Sequence, residues 1–85
     1  MANFRSLDLN LLRVFDAIMR TRNVSEAGVS LGLSQPATSF ALAKLRTICG
    51  DMLFVRTPRG MQPTPRAQSM AEPVRHVLSV VEMEV

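Results

Sequence analysis

The stretch SEAGVSLGLSQPATSF, residues 25–40, leaves its chain little freedom. A helix with apolar patterning opens at Ser25 and has to end by Gly32. A second has to begin by Pro36, with only Leu31–Gly32–Leu33–Ser34 to turn the corner. Gly32 suits the left-handed residue that closes a helix. Ser34 offers its hydroxyl as an N-cap, and Pro36 falls in a first turn, where a missing N–H costs nothing. Gly28, four residues before Gly32, leaves room for two helix backbones to approach closely. Two helices joined this tightly form a helix-turn-helix, and the turn aims the second of them outward.

Other elements follow from spacing on both sides. Upstream, Asp8 is placed to cap LNLLRVFDAIMR, in which Leu9, Leu12, Phe15, Ile18 and Met19 recur at helical intervals, and Asn23 is placed to stop it. Glu26 lies in the first turn of the second helix, where it complements the positive dipole end. The third helix has core positions 38, 42, 45 and 49, with Ala41 and Ile48 on the flank, and Gly50 closes it. Two β-capable runs follow, LFVR (53–56) and MQPT (61–64). Thr57–Pro58–Arg59–Gly60 joins them with the residues of a type I turn, which predicts a hairpin. Thr64 and Pro65 then serve as N-cap and first residue of a fourth helix running to the end. The expected fold is mainly α: a winged helix-turn-helix with a three-helix core and a two-stranded wing over 1–65, and a long C-terminal helix over 66–85.

That last helix carries Ala67, Ala71, Val74, Leu78, Val81 and Val85 at intervals of four, three, four, three and four. Packing on the chain's own domain accounts for two turns of such an a/d seam, widened by Met70 and Val77; six positions of it predict a partner helix. Pro73 interrupts it by removing a backbone bond to Ser69, and it predicts a kink there.

Charge narrows the function. The 85 residues carry a formal +3, unevenly spread. Residues 35–66 hold Lys44, Arg46, Arg56, Arg59 and Arg66 against Asp51 alone, a local +4, while residues 67–85 hold Arg75 against Glu72, Glu82 and Glu84, a local −2. Positive charge in the middle third favours a polyanionic partner. Catalysis finds no support. His76, the one histidine, has no acidic or nucleophilic neighbour at useful spacing, Cys49 takes a core position, and no Cys/His set suits a metal. No cofactor is expected. One cysteine, no signal-type start and apolar runs broken by Arg13, Asp16 and Arg20 predict a cytoplasmic protein.

On the third helix Gln35 and Ser39 point away from the core phase, and Gln is suited to a bidentate contact with adenine N6 and N7. The run SEAGVSLGLSQPATSFALAKLR followed by DMLFVRTPRGMQPTPRA closely resembles the N-terminal DNA-binding domain of LysR-type transcriptional regulators, over residues 8 to 85. The resemblance implies that the third helix enters the major groove of double-stranded promoter DNA at an interrupted palindrome, with the wing at the minor groove. It implies DNA contacts from Ser34, Gln35, Pro36, Ser39 and Lys44 and, on the wing, from Arg56 and Arg59. Thr38 is counted with them, although it sits at the core phase, where its hydroxyl can bond back to the Ser34 carbonyl. Phe40 departs from a position often basic or polar in the family; it can cover a thymine methyl, or fold against the first helix or a partner subunit. The resemblance further implies a homodimer, a tetramer in the full-length regulator, and a small-molecule effector bound by a C-terminal domain that these 85 residues do not include.

A protein-interaction module docking through its heptad seam is the competing class. Such a module has no need to gather its basic residues on the hairpin and the third helix, and that placement separates the two readings.

Overall fold

The computed structural model describes the backbone of residues 8–84 and the side chains of residues 8–82. Its elements are α1 (Leu9–Thr21), α2 (Val24–Leu31), α3 (Gln35–Cys49), β1 (Phe54–Thr57), β2 (Gly60–Pro63) and α4 (Pro65–Glu84). Each helix starts where a side-chain oxygen takes up a free N–H. Asp8 accepts from Leu11 at 2.9 Å, Asn23 from Glu26 at 2.9 Å, Ser34 from Ala37 at 3.2 Å and Thr64 from Ala67 at 3.2 Å. Asn23 therefore starts α2 rather than ending α1, and α2 begins at Val24, one residue earlier than expected. The closing role falls to Arg22, which adopts a left-handed φ of 56° and donates its N–H to the Ile18 carbonyl. Cap follows cap with no residue between, so the α1–α2 corner is one residue shorter than the α2–α3 corner.

α1 supplies the centre of the core through Leu11, Val14, Phe15, Ala17 and Ile18, all buried. Leu9, which shares the expected helical spacing, is exposed, and Leu12 and Met19 pack only at the margin. From α3 come Thr38, Leu42, Leu45 and Ile48. The last step along α3 is three residues rather than four, so Ile48 takes the core place expected of Cys49, which is left half-buried. The α2–α3 crossing is tight: a Cβ on Gly28 would lie 2.5 Å from Thr38 Oγ1 and 3.0 Å from the Leu33 carbonyl.

The wing is a two-stranded antiparallel ribbon pairing Phe54 with Pro63, Val55 with Gln62, Arg56 with Met61 and Thr57 with Gly60. Both strands sit one residue off the expected runs: Leu53 has a left-handed φ of 63° and lies just outside the ladder, where its carbonyl accepts the Thr64 N–H at 2.8 Å. Pro58 and Arg59 form the loop. Thr57 Oγ1 fixes it, donating to the Gly60 carbonyl at 2.8 Å and accepting from the Arg59 N–H at 3.1 Å. Gly60 has a φ of 107°, and a Cβ there would lie 2.7 Å from the Arg22 carbonyl, which also accepts the Met61 N–H at 2.9 Å. The end of α1 thus docks the wing, and Phe54 carries the contact inward by packing on Phe15 with ring centroids 5.5 Å apart.

α4 lies against α1 and β2 and runs through Pro73 as one element. Pro73 and Ser69 are both exposed, so water can meet the carbonyl that the proline frees. The expected seam divides on inspection. Ala67, Val74 and Leu78 are buried in the chain's own core and are not free for a partner helix; Ala71 and Val81 are half-buried, and Val85 lies outside the described residues. The open apolar positions are Val77 and Val80, each one residue before a seam position. Wrapping α4 onto α1 uses the face that the spacing had assigned to a second chain.

Candidate nucleic-acid interface

α3 is held by one side and presents the other. Its inner side is fixed by Leu42, Leu45 and Thr38, whose hydroxyl donates to the Ser34 carbonyl at 2.8 Å. Thr38 is fully buried, so it is a packing residue and not a contact to a ligand. That removes it from the expected contact set; the phase of the helix, 38–42–45, decides the matter. Ser34, Gln35, Pro36, Phe40 and Lys44 are exposed, and Ser39 is half-buried. Ser34 spends its hydroxyl oxygen as the helix cap. The Gln35 side-chain amide donates to Ser39 Oγ at 3.1 Å, which couples two of the residues expected to contact DNA.

Beside this flank runs an open groove between α3 and the wing. A cleft of about 160 Å³ is lined by Gln35 and Ser25 on the helix side and by Arg56 and Thr57 on the wing, with Arg22 and Asn23 at its base. A neighbouring cleft of about 320 Å³ has Ser39 and Leu42 on one wall and Val55 and Arg56 on the other. The fold therefore brings Gln35, Ser39 and Arg56 to one groove. Arg59 stands apart at the exposed tip of the hairpin, and Lys44 is exposed further along α3. Phe40 is 69% exposed, so it does not fold against α1.

Arg46 does something other than expected of a basic residue on a helix flank. Its Nε donates to the Met52 carbonyl and its Nη2 to the Phe54 carbonyl, both at 2.8 Å. One planar guanidinium thereby ties α3 to the strand that begins the wing. Asp51 braces the same corner. Its carboxylate accepts from the Leu53 N–H at 2.8 Å and from the Thr64 hydroxyl at 2.7 Å. The Thr64 hydroxyl and the Leu53 amide hold that carboxyl below its usual range. Charge counting could not find either role, because the partners are backbone groups and the Thr64 hydroxyl, which only the folded chain brings within reach. Burial pushes the Cys49 thiol up, which suits a packing residue and not a nucleophile.

The electrostatics agree with the layout. Among the described residues, the side of the domain bearing α3 and the wing holds Lys44, Arg56 and Arg59 exposed, while Asp16 is engaged with Arg20 at 3.1 Å and with Arg75 at 4.0 Å on the α1–α4 side.

Comparison with known proteins gives this arrangement a lineage. Residues 9–68 match the model of the bacterial regulatory helix-turn-helix proteins of the lysR family. The chain is 49% identical over 82 residues to nodulation protein D 2 of Bradyrhizobium sp. (strain NC92), covering 96% of this chain and 24% of that protein. It is 57% identical over 70 residues to the transcriptional activator NahR of Pseudomonas putida, covering 82% of this chain and 23% of NahR. It thus spans about a quarter of the length of these curated relatives. Among solved structures, a probable transcriptional regulator of Pseudomonas aeruginosa superposes with a TM-score of 0.90 at 46% identity, over 95% of this chain and 27% of that one. The BenM DNA-binding domain, in its complex with catB site 1 DNA, superposes with a TM-score of 0.86 at 26% identity, over 92% and 88% of the two chains. With the helix-turn-helix, the wing and the matched span all in register, the chain belongs to the LysR family of bacterial regulatory proteins and forms the family's winged helix-turn-helix DNA-binding domain.

Proposed function

We propose that the chain reads double-stranded DNA as a homodimer, with α3 of each subunit in a major groove and each wing at the adjacent minor groove. The observation that carries this reading is the shared groove, where Gln35 and Ser39 on α3 face Arg56 on the wing without an intervening acidic side chain. Gln35 contacts a base edge, Ser39 orients it, and Pro36 and Phe40 add apolar contact. Arg56, Arg59, Lys44 and Ser34 meet the backbone and the narrow minor groove, where negative potential draws arginine. The BenM complexes with DNA, on a superposable domain, support double-stranded DNA as the partner here. α4 acts as a linker helix, and the second subunit packs on its side that bears Val77 and Val80. A regulator whose partner is the bacterial chromosome works in the cytoplasm, and it has no need of catalysis.

Binding to a duplex bearing an interrupted palindrome tests the reading. Affinity should fall steeply with salt and exceed that for scrambled DNA. Gln35→Ala should lose about 1–3 kcal/mol and relax preference at one base pair. Arg59→Ala should weaken all sequences evenly and flatten the salt slope. Equal, shallow binding to both duplexes overturns the reading.

A further inference from the structure

The outward side of α3 is unusual for a helix set beside a basic hairpin. Pro36, Ala37, Phe40 and Ala43 are all exposed, and none carries a side-chain hydrogen-bonding group. Positions 36, 40 and 43 fall on one face of a helix, and that face is turned from the buried row of Thr38, Leu42 and Leu45. Gln35 and Ser39 lie to the wing side of this ridge and are bonded to each other. Phe40, exposed over 69% of its surface, is thus presented to solvent at the middle of a helix whose own domain has no use for it.

Base edges in the major groove offer donors, acceptors and a single apolar group, the C5 methyl of thymine. An apolar ridge entering that groove gains energy only where such methyls line up with it. α3 contains no acidic residue, Lys44 stands one turn beyond Phe40, and residues 35–66 carry a local +4, so the surroundings favour a polyanion over an apolar protein surface. Resting on the DNA-binding reading above, we infer that Phe40, flanked by Pro36 and Ala43, reads pyrimidine C5 methyl groups and sets a preference for T·A pairs. 5-Methylcytosine carries the same methyl, so the chemistry recognised is the methyl and the expected source is thymine.

The test starts by selecting duplexes from a random library with the 85-residue chain. The preferred half-site is then remade with each dT replaced singly by dU, which removes only the methyl. A second set replaces the sensitive T·A pair by C·G or by 5-methyl-C·G. Wild type and Phe40→Ala are titrated against every duplex, and their thermal stabilities are compared. Wild type should lose about fourfold in affinity at one or two dU positions, the fold-change that ~0.8 kcal/mol of lost apolar burial corresponds to. 5-Methyl-C·G should recover part of the loss seen with C·G. Phe40→Ala should melt like wild type and bind the dT and dU duplexes alike. Equal binding of wild type to dT and dU duplexes overturns the inference. So does a Phe40→Ala chain that keeps the full dU penalty, or one whose DNA preference is unchanged because Phe40 meets a protein. A wild-type chain that enriches no sequence at all overturns the DNA-binding reading itself, a result distinct from those.

Discussion

α3 and α4 both carry more apolar side chains than the core of one domain takes in, and they dispose of the excess differently. α3 buries one row and leaves Phe40 exposed amid small residues, with Lys44 one turn away and the basic wing alongside. α4 buries Ala67, Val74 and Leu78 and leaves Val77 and Val80 exposed, with Arg75 before them in sequence and Glu82 after. Spare apolar surface on a basic element suits a groove of DNA, and on an element of nearly balanced charge it suits another protein surface. The contrast shows that helical spacing alone does not assign a face to a partner. Which row the domain keeps for itself has to be settled first, and the residues left over then speak through their charged neighbours.

The α4 half of this comparison is the easiest to break. Leu78→Ala should cost about 3 kcal/mol, because a nearly buried leucine leaves a cavity against α1. Paired substitution of Val77 and Val80 by aspartate should leave the melting temperature of the dilute chain nearly unchanged, since both are more than two-fifths exposed. The paired variant should instead shift any concentration-dependent dimer to monomer in sedimentation equilibrium. If the aspartates unfold the chain and Leu78→Ala does not, the two rows have been assigned the wrong way round.

On the α3 side the decisive contact is at the helix crossing. Gly28→Ala places a methyl 2.5 Å from Thr38 Oγ1 and 3.0 Å from the Leu33 backbone, so something has to shift. Overpacking of this kind should cost about 2 kcal/mol, read as a lower urea midpoint. Thr38→Ala removes the nearer obstacle, and the double variant should be more stable than the sum of the two single losses requires. Strict additivity would mean that the crossing relaxes freely and does not fix the tilt of α3.

How far the sequence carried this picture follows from the range of the interactions. Helix ends at Asp8, Gly32, Ser34, Gly50 and Thr64 were legible because a cap acts over three or four residues. The same locality misplaced Asn23: a residue between two helices can end one or start the next, and only the left-handed turn of Arg22 decides. The helix-turn-helix and wing were legible as a pattern, and so was the outward position of Gln35, Pro36 and Phe40. In the α4 seam, Ala67, Val74 and Leu78 went to the chain's own core, because a heptad states that a face is apolar without stating whose surface covers it. Arg46, read as serving phosphates or a solvated flank, had its bracing role missed for a related reason: its partners are carbonyls six and eight residues on, the farther one lying past the left-handed turn of Leu53.

Asp51 offers the finest probe of how rigidly the wing is joined to α3. Its carboxylate is lowered from an ordinary 3.8 first by the Thr64 hydroxyl and next by the Leu53 amide, so folding favours the charged form. The stabilisation is present above the unfolded value and is lost as pH falls through the lower folded one, which confines the effect to acid below about pH 4. Asp51→Asn keeps an oxygen that can stand in place of Oδ2, which accepts both bonds, and it cannot titrate. At pH 7 the variant should be slightly less stable than wild type, and the gap should close as pH is lowered, because wild type alone loses the charged acceptor. Melting temperatures of both chains at a series of pH values give the comparison directly, with every other carboxylate common to the two curves. Parallel curves would mean that the corner holding the wing is set by Arg46 and by the Leu53 backbone, with the Asp51 charge adding nothing to it.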